Sequence, residues 1–392
     1  MSQRRPDLSR PAFGRQALAA LVELLCRHLP LHLWGLKIND SLAWTILCYA
    51  ATHRTTIEQA ALSLKTAPSA NTIREHLREA LPVIVADLRR LEPQINRALQ
   101  AQVPAGRVKR LRRARIEVAG DLTEIPYHGE PEREEAEVRR SQAKGGTTHF
   151  HSYVTLEIVH HRQRLTIAVT FVAKGETMAG VAARLLQGAR RCGVRIRRAY
   201  FDKGFASVAV FRLLRARRIP YLIAVPARRG KGGLKQFFRG GRNQRLRYTF
   251  GRATKTPYTT EVVIVRREWP GKGVRYFAYA VYRPGHTDLD QVFEAYRRRY
   301  SIETGYRQSH QVRARTASRH PGLRLLLFGL SLALVNAWVL ASQVCGVITT
   351  YGRRVRVHEL TLAQLALAVA QAIAAAFGIR QIEQACKLDA IT

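Results

Sequence analysis

Between residues 115 and 225 the spacing of apolar residues changes period several times, and this alternation limits the fold more than any other feature of the chain. Residues 116–123 read as a strand. Residues 149–159 and 164–173 read as two more, joined as a hairpin through His160-His161-Arg162-Gln163. Residues 178–192 then show helical spacing, 198–202 a strand, 207–218 a helix and 221–225 a short strand. Two carboxylates follow apolar runs here, Asp121 in Ala-Gly-Asp-Leu-Thr and Asp202 in Ala-Tyr-Phe-Asp-Lys-Gly-Phe.

The order β-β-β-α-β-α-β is that of an α/β, ribonuclease H-like core, in which a carboxylate ending the first strand neighbours one ending the fourth. The rest of the chain is expected to flank or interrupt this core. Residues 1–102 read as a helical N-terminal DNA-binding region whose first fifteen residues are too basic and polar to order themselves. Two short helices at 56–78 fit a helix-turn-helix or an ordinary helical pair. A basic linker (103–114) leads to the first part of the core (115–226). A basic, β-rich insertion (227–283) follows, then the remainder of the core (284–345) and a helical tail (346–392).

Charge narrows the partner. The 392 residues carry 65 Lys plus Arg against 28 Asp plus Glu, a formal net charge of +37, which would repel itself unless a polyanion neutralised it. Residues 228–255 alone hold ten basic residues and no acid, interleaved with Phe237, Phe238, Tyr248 and Phe250, a pattern suited to phosphates and stacked bases. Five scattered cysteines and no C-x-x-C pair argue against a disulfide framework and suit a reducing cytoplasm. The start, Met-Ser-Gln-Arg-Arg-Pro, lacks the apolar core of a signal peptide. Residues 325–352 carry no charge and are long enough to span a bilayer. Ser331, Asn336, Ser342 and Gln343 interrupt that run, so a helix buried in the protein is the preferred reading, with no membrane partner.

A third carboxylate lies in an Arg-rich stretch, Tyr-Arg-Arg-Arg-Tyr-Ser-Ile-Glu-Thr-Gly-Tyr-Arg. Asp288 is a suitable cap for one helix running through Gln308 or beyond. At about 100° per residue, Tyr296, Arg299, Glu303, Arg307 and His310 then share one face, a metal ligand beside a phosphate clamp. A solvated face with an Arg299–Glu303 pair is the plainer alternative.

On these residues the chain resembles the DDE transposases of bacterial and archaeal insertion sequences, and more narrowly the group with the signature Y-x2-R-x3-E-x6-K. Tyr296, Arg299 and Glu303 match it in identity and spacing, whereas His310 stands at the Lys position. Asp121-Leu-Thr123 is similar to the first-aspartate region and Asp202-Lys-Gly-Phe205 to the second, and the resemblance covers roughly residues 115–345. It implies that Asp121, Asp202 and Glu303 hold two Mg²⁺ (or Mn²⁺) ions about 3.5–4 Å apart. Tyr296, Arg299, Arg307, His310, Lys203 and Arg313 would then contact DNA. The implied partners are double-stranded DNA, as the element's terminal inverted repeats and as target DNA, and a second copy of the chain on that DNA. The implied activity is metal-dependent strand cleavage and strand transfer; a DNA-binding protein of the same descent without catalysis is the alternative. Zinc at His149, His151, His160 and His161 is disfavoured, because hairpin histidines are commonly just surface residues. Glu124 is a fallback for Asp121, and the acids from Glu130 to Glu137 read as a solvated loop.

Overall fold

The computed structural model describes residues 10–380, apart from 36, 107–108, 110–112, 114, 131–135, 161–162, 228–232, 240, 272, 286–287, 298, 300 and 352–353. The chain divides into two compact units, residues 84–308 and residues 1–83 together with 309–392.

The unit 84–308 is built on one sheet. Its strands are β1 (Arg115–Pro126), β2 (Val138–Lys144), β3 (Thr147–His160), β4 (Gln163–Phe171), β5 (Arg195–Phe201), β6 (Tyr221–Ala224), β7 (Gln244–Phe250), β8 (Tyr258–Trp269) and β9 (Gly273–Tyr282). They lie in the order β2-β3-β1-β5-β6-β9-β8-β7, with β4 also paired to β3. β1 pairs antiparallel with β3 but parallel with β5, and β5 pairs parallel with β6. This is the expected ribonuclease H-like arrangement. The β-rich insertion does not stand apart from it: β9 pairs antiparallel with β6 from Tyr221↔Tyr282 to Ala224↔Tyr279 and prolongs the same sheet. Four-residue β6 would otherwise leave a row of backbone donors and acceptors open at an edge.

Helices cover both faces. Successive residues of a strand face opposite sides, and β3 shows it with Val154 and Thr155. The Thr170 hydroxyl, on the residue paired with Val154, donates to Glu92 (2.5 Å) of α5 (Val85–Ala101) and accepts from Arg184 (3.0 Å) of α6 (Met178–Arg191). On the other side Thr155 shares a hydrogen bond of 2.9 Å with Tyr306. Glu92, Asn96 and Gln100 are spaced i, i+4, i+8 and form a polar stripe along α5. The Asn96 amide donates to the Val169 carbonyl (3.0 Å) and accepts from the Val169 amide (2.7 Å), while Gln100 donates to the Ile167 carbonyl (3.0 Å). α5 thereby satisfies the outer edge of β4, and it belongs to this unit rather than to the N-terminal helices.

Several expectations change. The aromatics of the insertion that suit stacked bases also pack on one another: Phe250 lies 5.0 Å from Phe211 of α7 (Val208–Ala216) and 4.8 Å from Tyr248, and Phe238 stacks on Tyr276 at 5.2 Å. The insertion's own rings are half-buried by these contacts, with part of each still open to solvent. Glu137, assigned to a solvated loop, is buried at the start of β2, whereas Glu130 is exposed; Glu132, Glu134 and Glu135 lie outside the described residues. The single helix drawn from Asp288 is two helices, α8 (Leu289–Arg297) and α9 (Ser301–Gln311), with Arg299 in a tight turn between them. Different anchors hold the two. Phe293 and Tyr296 of α8 pack against Phe277 and Tyr279 of β9, while Tyr306 of α9 bonds to β1 and β3.

The other unit contains α1 (Arg10–His28), α2 (Asp40–Thr52), α3 (Ile57–Ser63), α4 (Ala70–Ala80), α10 (Pro321–Val344), a two-stranded sheet of β10 (Gly346–Tyr351) and β11 (Arg354–Glu359), and α11 (Leu362–Phe377). The short pair α3 and α4 starts on caps from Thr56 and Ser69. α10 is long and apolar enough to cross a membrane, and most of it is buried inside the protein, packed on α1, α2 and α11. Residues 346–351 and 354–359, expected to be helical, pair as strands. The alternation Arg-Val-Arg-Val in β11 is the period-two signal for this.

Burial pushes Glu92 from the ordinary 4.5 up to about 7, against the pull of Arg184 and Thr170, and pushes Glu157 up to about 8. A carboxyl whose folded pKa exceeds its unfolded value stabilises the fold below the unfolded value and loses that contribution as pH rises. The unit should therefore lose stability between pH 4.5 and about 8, and Glu92→Gln should flatten part of that decline in urea midpoints measured across the range. A Cβ on Gly120 would lie 2.3 Å from the buried ring of Phe201. Gly120→Ala should cost about 2 kcal/mol in urea denaturation, and Phe201→Leu in the same chain should restore part of the loss.

Candidate active site

The two aspartates meet because of the β1–β5 ladder. Its last pair is Gly120↔Phe201, and each next residue is an aspartate, Asp121 and Asp202. Neighbouring strands run about 4.8 Å apart, so residues 81 positions apart in sequence stand side by side. Asp121 does not end its strand. β1 leaves β5 at that point and continues along β3 to Pro126. Asp202 ends β5 and caps a short turn, Lys203–Phe205, accepting from the Gly204 amide at 3.0 Å.

Two tyrosines hold the backbone on either side. The Tyr296 hydroxyl donates to the Phe201 carbonyl (3.1 Å), and the Tyr306 hydroxyl donates to the Asp121 carbonyl (2.5 Å). Arg299 supplies the charge. Its guanidinium lies 3.3 Å from Asp121 Oδ2 and 5.2 Å over the Tyr296 ring. Burial raises the Asp202 carboxyl above its ordinary value, while Arg299, the Gly204 amide and Lys203 oppose that rise.

This geometry alters the roles drawn from sequence. Tyr296 and Arg299, expected to hold DNA phosphates, are 3% and 5% exposed, and their polar ends are directed at Phe201 and Asp121. They position the aspartates. The reason is packing: α8 lies against β8 and β9 and carries Tyr296 inward, and the turn that follows it brings Arg299 over the Tyr296 ring. Lys203 and Arg307 are exposed beside the site elements, and Glu124 is half-buried in β1. Glu303 has its backbone in the first turn of α9, one turn before Tyr306, and its side chain lies outside the described residues. His310, exposed, and Arg313, half-buried, belong to the unit that holds residues 309–392.

Glu157 is a neighbour that the sequence reading passed over. It stands opposite Ala119 in the β1–β3 ladder and therefore on the same face as Asp121. Its Oε2 is buried with no hydrogen-bond partner, and its Oε1 lies 3.0 Å from where a Cβ on Gly305 would be. Gly305 thus lets α9 settle onto that carboxylate. A lone acid inside the apolar run 149–159 was the available signal.

Among the described residues no three of His, Cys, Asp or Glu gather closely enough to hold a metal ion. His149 is half-buried, His151 is buried edge-on to Tyr127, and the side chain of His160 and all of His161 lie outside the described residues. The aspartate pair nonetheless fits a hard divalent cation. Its donors are carboxylate oxygens, and a guanidinium already compensates their charge in a partly desolvated place.

The family described as Transposase DDE domain matches residues 112–336, more than half of the chain and inclusive of every element just described from β1 to α9. No curated protein matches. Among solved structures, the piggyBac transposase in a synaptic complex with hairpin DNA, determined by cryo-EM, is similar with a TM-score of 0.54 and 11% identity. The match covers 96% of this chain and 83% of that one, a likeness of fold. With its aspartates paired across β1 and β5 inside the matched segment, the chain belongs to the transposase DDE domain family.

Proposed function

We propose that this transposase cuts and rejoins double-stranded DNA at the terminal inverted repeats of its own element and inserts it into target DNA, as a cut-and-paste enzyme. The observation that carries the reading is the side-by-side placement of Asp121 and Asp202 at the point where β1 and β5 part. Asp121, Asp202 and Glu303 are the residues assigned to hold two Mg²⁺ or Mn²⁺ ions. Bound there, such ions supply activation of the attacking oxygen and relief of charge on the leaving oxygen. Tyr296 and Tyr306 keep the two aspartates in place through the Phe201 and Asp121 carbonyls, and Arg299 lowers the repulsion between the carboxylates.

Lys203 and Arg307, exposed on the turn after β5 and on α9, suit phosphate contacts, with His310 and Arg313 as further candidates. The pair α3 and α4 suits recognition of the element's ends. We place the protein in the insertion-sequence group marked by the Tyr/Arg/Glu spacing, acting as a homodimer on DNA in the cytoplasm, at the nucleoid. This rests on Tyr296, Arg299 and Glu303 and on the +37 charge. His310 at the signature's Lys position favours one other reading, a DNA-binding protein of the same descent without catalysis.

Purified protein with Mg²⁺ or Mn²⁺ and a duplex carrying the gene's own flanking sequence separates these readings. Nicks at the repeat ends, reduced at least about a hundredfold in Asp202→Asn, support the enzyme. Binding without cleavage in either protein supports the second reading, and cleavage that survives the substitution overturns the assigned site. A second prediction concerns charge alone. Removing one partner of a buried ion pair costs about 3 kcal/mol or more, so Arg299→Met should melt well below wild type in a chelator. Because a cation that binds only the folded state stabilises it, added Mg²⁺ should raise the melting temperature of the variant more than that of wild type. Equal shifts would remove Asp121 from the proposed metal site.

A further inference from the structure

The opposite end of the sheet from the aspartates is lined with arginine. β1 and β5 begin there together, with Arg115 opposite Arg195, while β6 begins and β9 ends four residues further along β5, level with Ala199, and the chain entering β6 and leaving β9 runs back towards the same end. Arg115 and Arg195 open their strands, and Arg197 follows in β5. Arg217 and Arg218 follow α7 on the way into β6, and Arg283 follows β9. All six are exposed, and none forms an ion pair among the described residues. Glu117, the acid nearest in sequence to this end of β1, accepts from the Tyr200 hydroxyl at 2.9 Å and pairs with buried Arg198.

Two features make the arrangement costly for the protein alone. Arg115 and Arg195 are direct cross-strand partners, and like charges directly opposite each other destabilise a sheet. Arg218 and Arg283 adopt left-handed backbone, with φ of 53° and 46°, where glycine is at ease and a side chain costs on the order of 1 kcal/mol. A bound polyanion offsets the repulsion and gives both arginines a use. From Arg195 to Asp202 is seven residues of extended chain, about 23 Å, so phosphates held at Arg115 and Arg195 lie well away from the aspartates.

We infer that this arginine-lined end is a second duplex-DNA surface, which grips the phosphate backbone without reading bases and holds a segment other than the one being cut. Phosphate contacts of this kind position a duplex and contribute salt-dependent affinity. The inference rests on the transposase reading above, and it adds a surface that the cutting site does not require.

The test uses the full chain and a duplex of random sequence, with affinity measured over a series of salt concentrations. Replacing Arg195, Arg197, Arg217 and Arg218 with Gln should reduce the slope of log K against log salt by about 0.9 for each phosphate no longer neutralised, or by about 3.6 if each holds one. Substituting Arg252 and Lys255, exposed in the β7–β8 turn, should change it by less than about 1. Arg218→Gly with Arg283→Gly is the fold-safe variant: it relieves the left-handed strain, so its melting temperature should equal or exceed wild type while its slope falls by about 2. Cleavage of a short duplex confined to one element end should remain at wild-type level in these variants. An unchanged slope with cleavage intact overturns the surface and leaves the enzyme standing. A slope reduced on duplex RNA but not on duplex DNA overturns the choice of partner. If wild type neither binds nor cuts DNA, both readings fall together.

Discussion

The close approach of β1 to β5 at Gly120 and Phe201 is the contact on which the rest of the site depends. The Phe201 ring lies where any side chain on residue 120 would have to be, so the pairing requires a glycine at that position. The pairing sets the register, and the register sets Asp121 beside Asp202. Everything nearby reinforces that one alignment. Tyr296 takes the carbonyl immediately before Asp202, Tyr306 takes the carbonyl of Asp121, and both tyrosines are buried. Buried hydroxyls that left their partners would incur the full cost of desolvation, so the two residues resist displacement.

The unit tolerates an unusual quantity of buried charge by distributing counter-charges and hydrogen bonds among elements that are distant in sequence. Arg184 sits between Glu92 and Glu176, Arg198 pairs with Glu117 and bonds to the Pro284 carbonyl, and Arg299 pairs with Asp121. Breaking such pairs is far more costly than their net gain suggests, because it strands a charge away from water. They therefore specify which elements belong together more than they add stability. The polar stripe of α5 works in the same way on β4, whose edge would accept any matching strand if it were left open. In a chain of net charge +37, Glu92, Asp121, Glu137 and Glu157 are buried in the sheet unit, whereas the arginines at its strand starts stay on the surface.

Much of this was legible in the sequence. Apart from β2, the strand and helix order from β1 to β6 follows from apolar periodicity, and α10 from its uncharged, mostly apolar run. Asp121 and Asp202 stood out because each follows a strand-like run in a very basic chain. Less accessible were β2, β7 and β11, which are short and charged, so their pattern resembles that of loops until a partner strand is present, and β10, whose uncharged residues read as a continuation of the apolar helix before it. Glu157 was hidden inside a run that reads as pure core.

What the sequence determined by itself is local: which segments alternate with period two or 3.6, where glycine and proline interrupt them, and which carboxylates they carry. Tertiary structure decided which of those residues meet. Whether Asp121 neighbours Asp202 is a matter of register between strands 81 residues apart, and register is set by packing across the ladder rather than by either strand. The break between α8 and α9 is of the same kind, since Tyr296 and Tyr306 are each drawn to a different strand. So is the inward turn of Arg299, whose spacing suits a solvated face equally well. A helical projection records angles about one axis, and it cannot record which buried carboxylate waits on the other side.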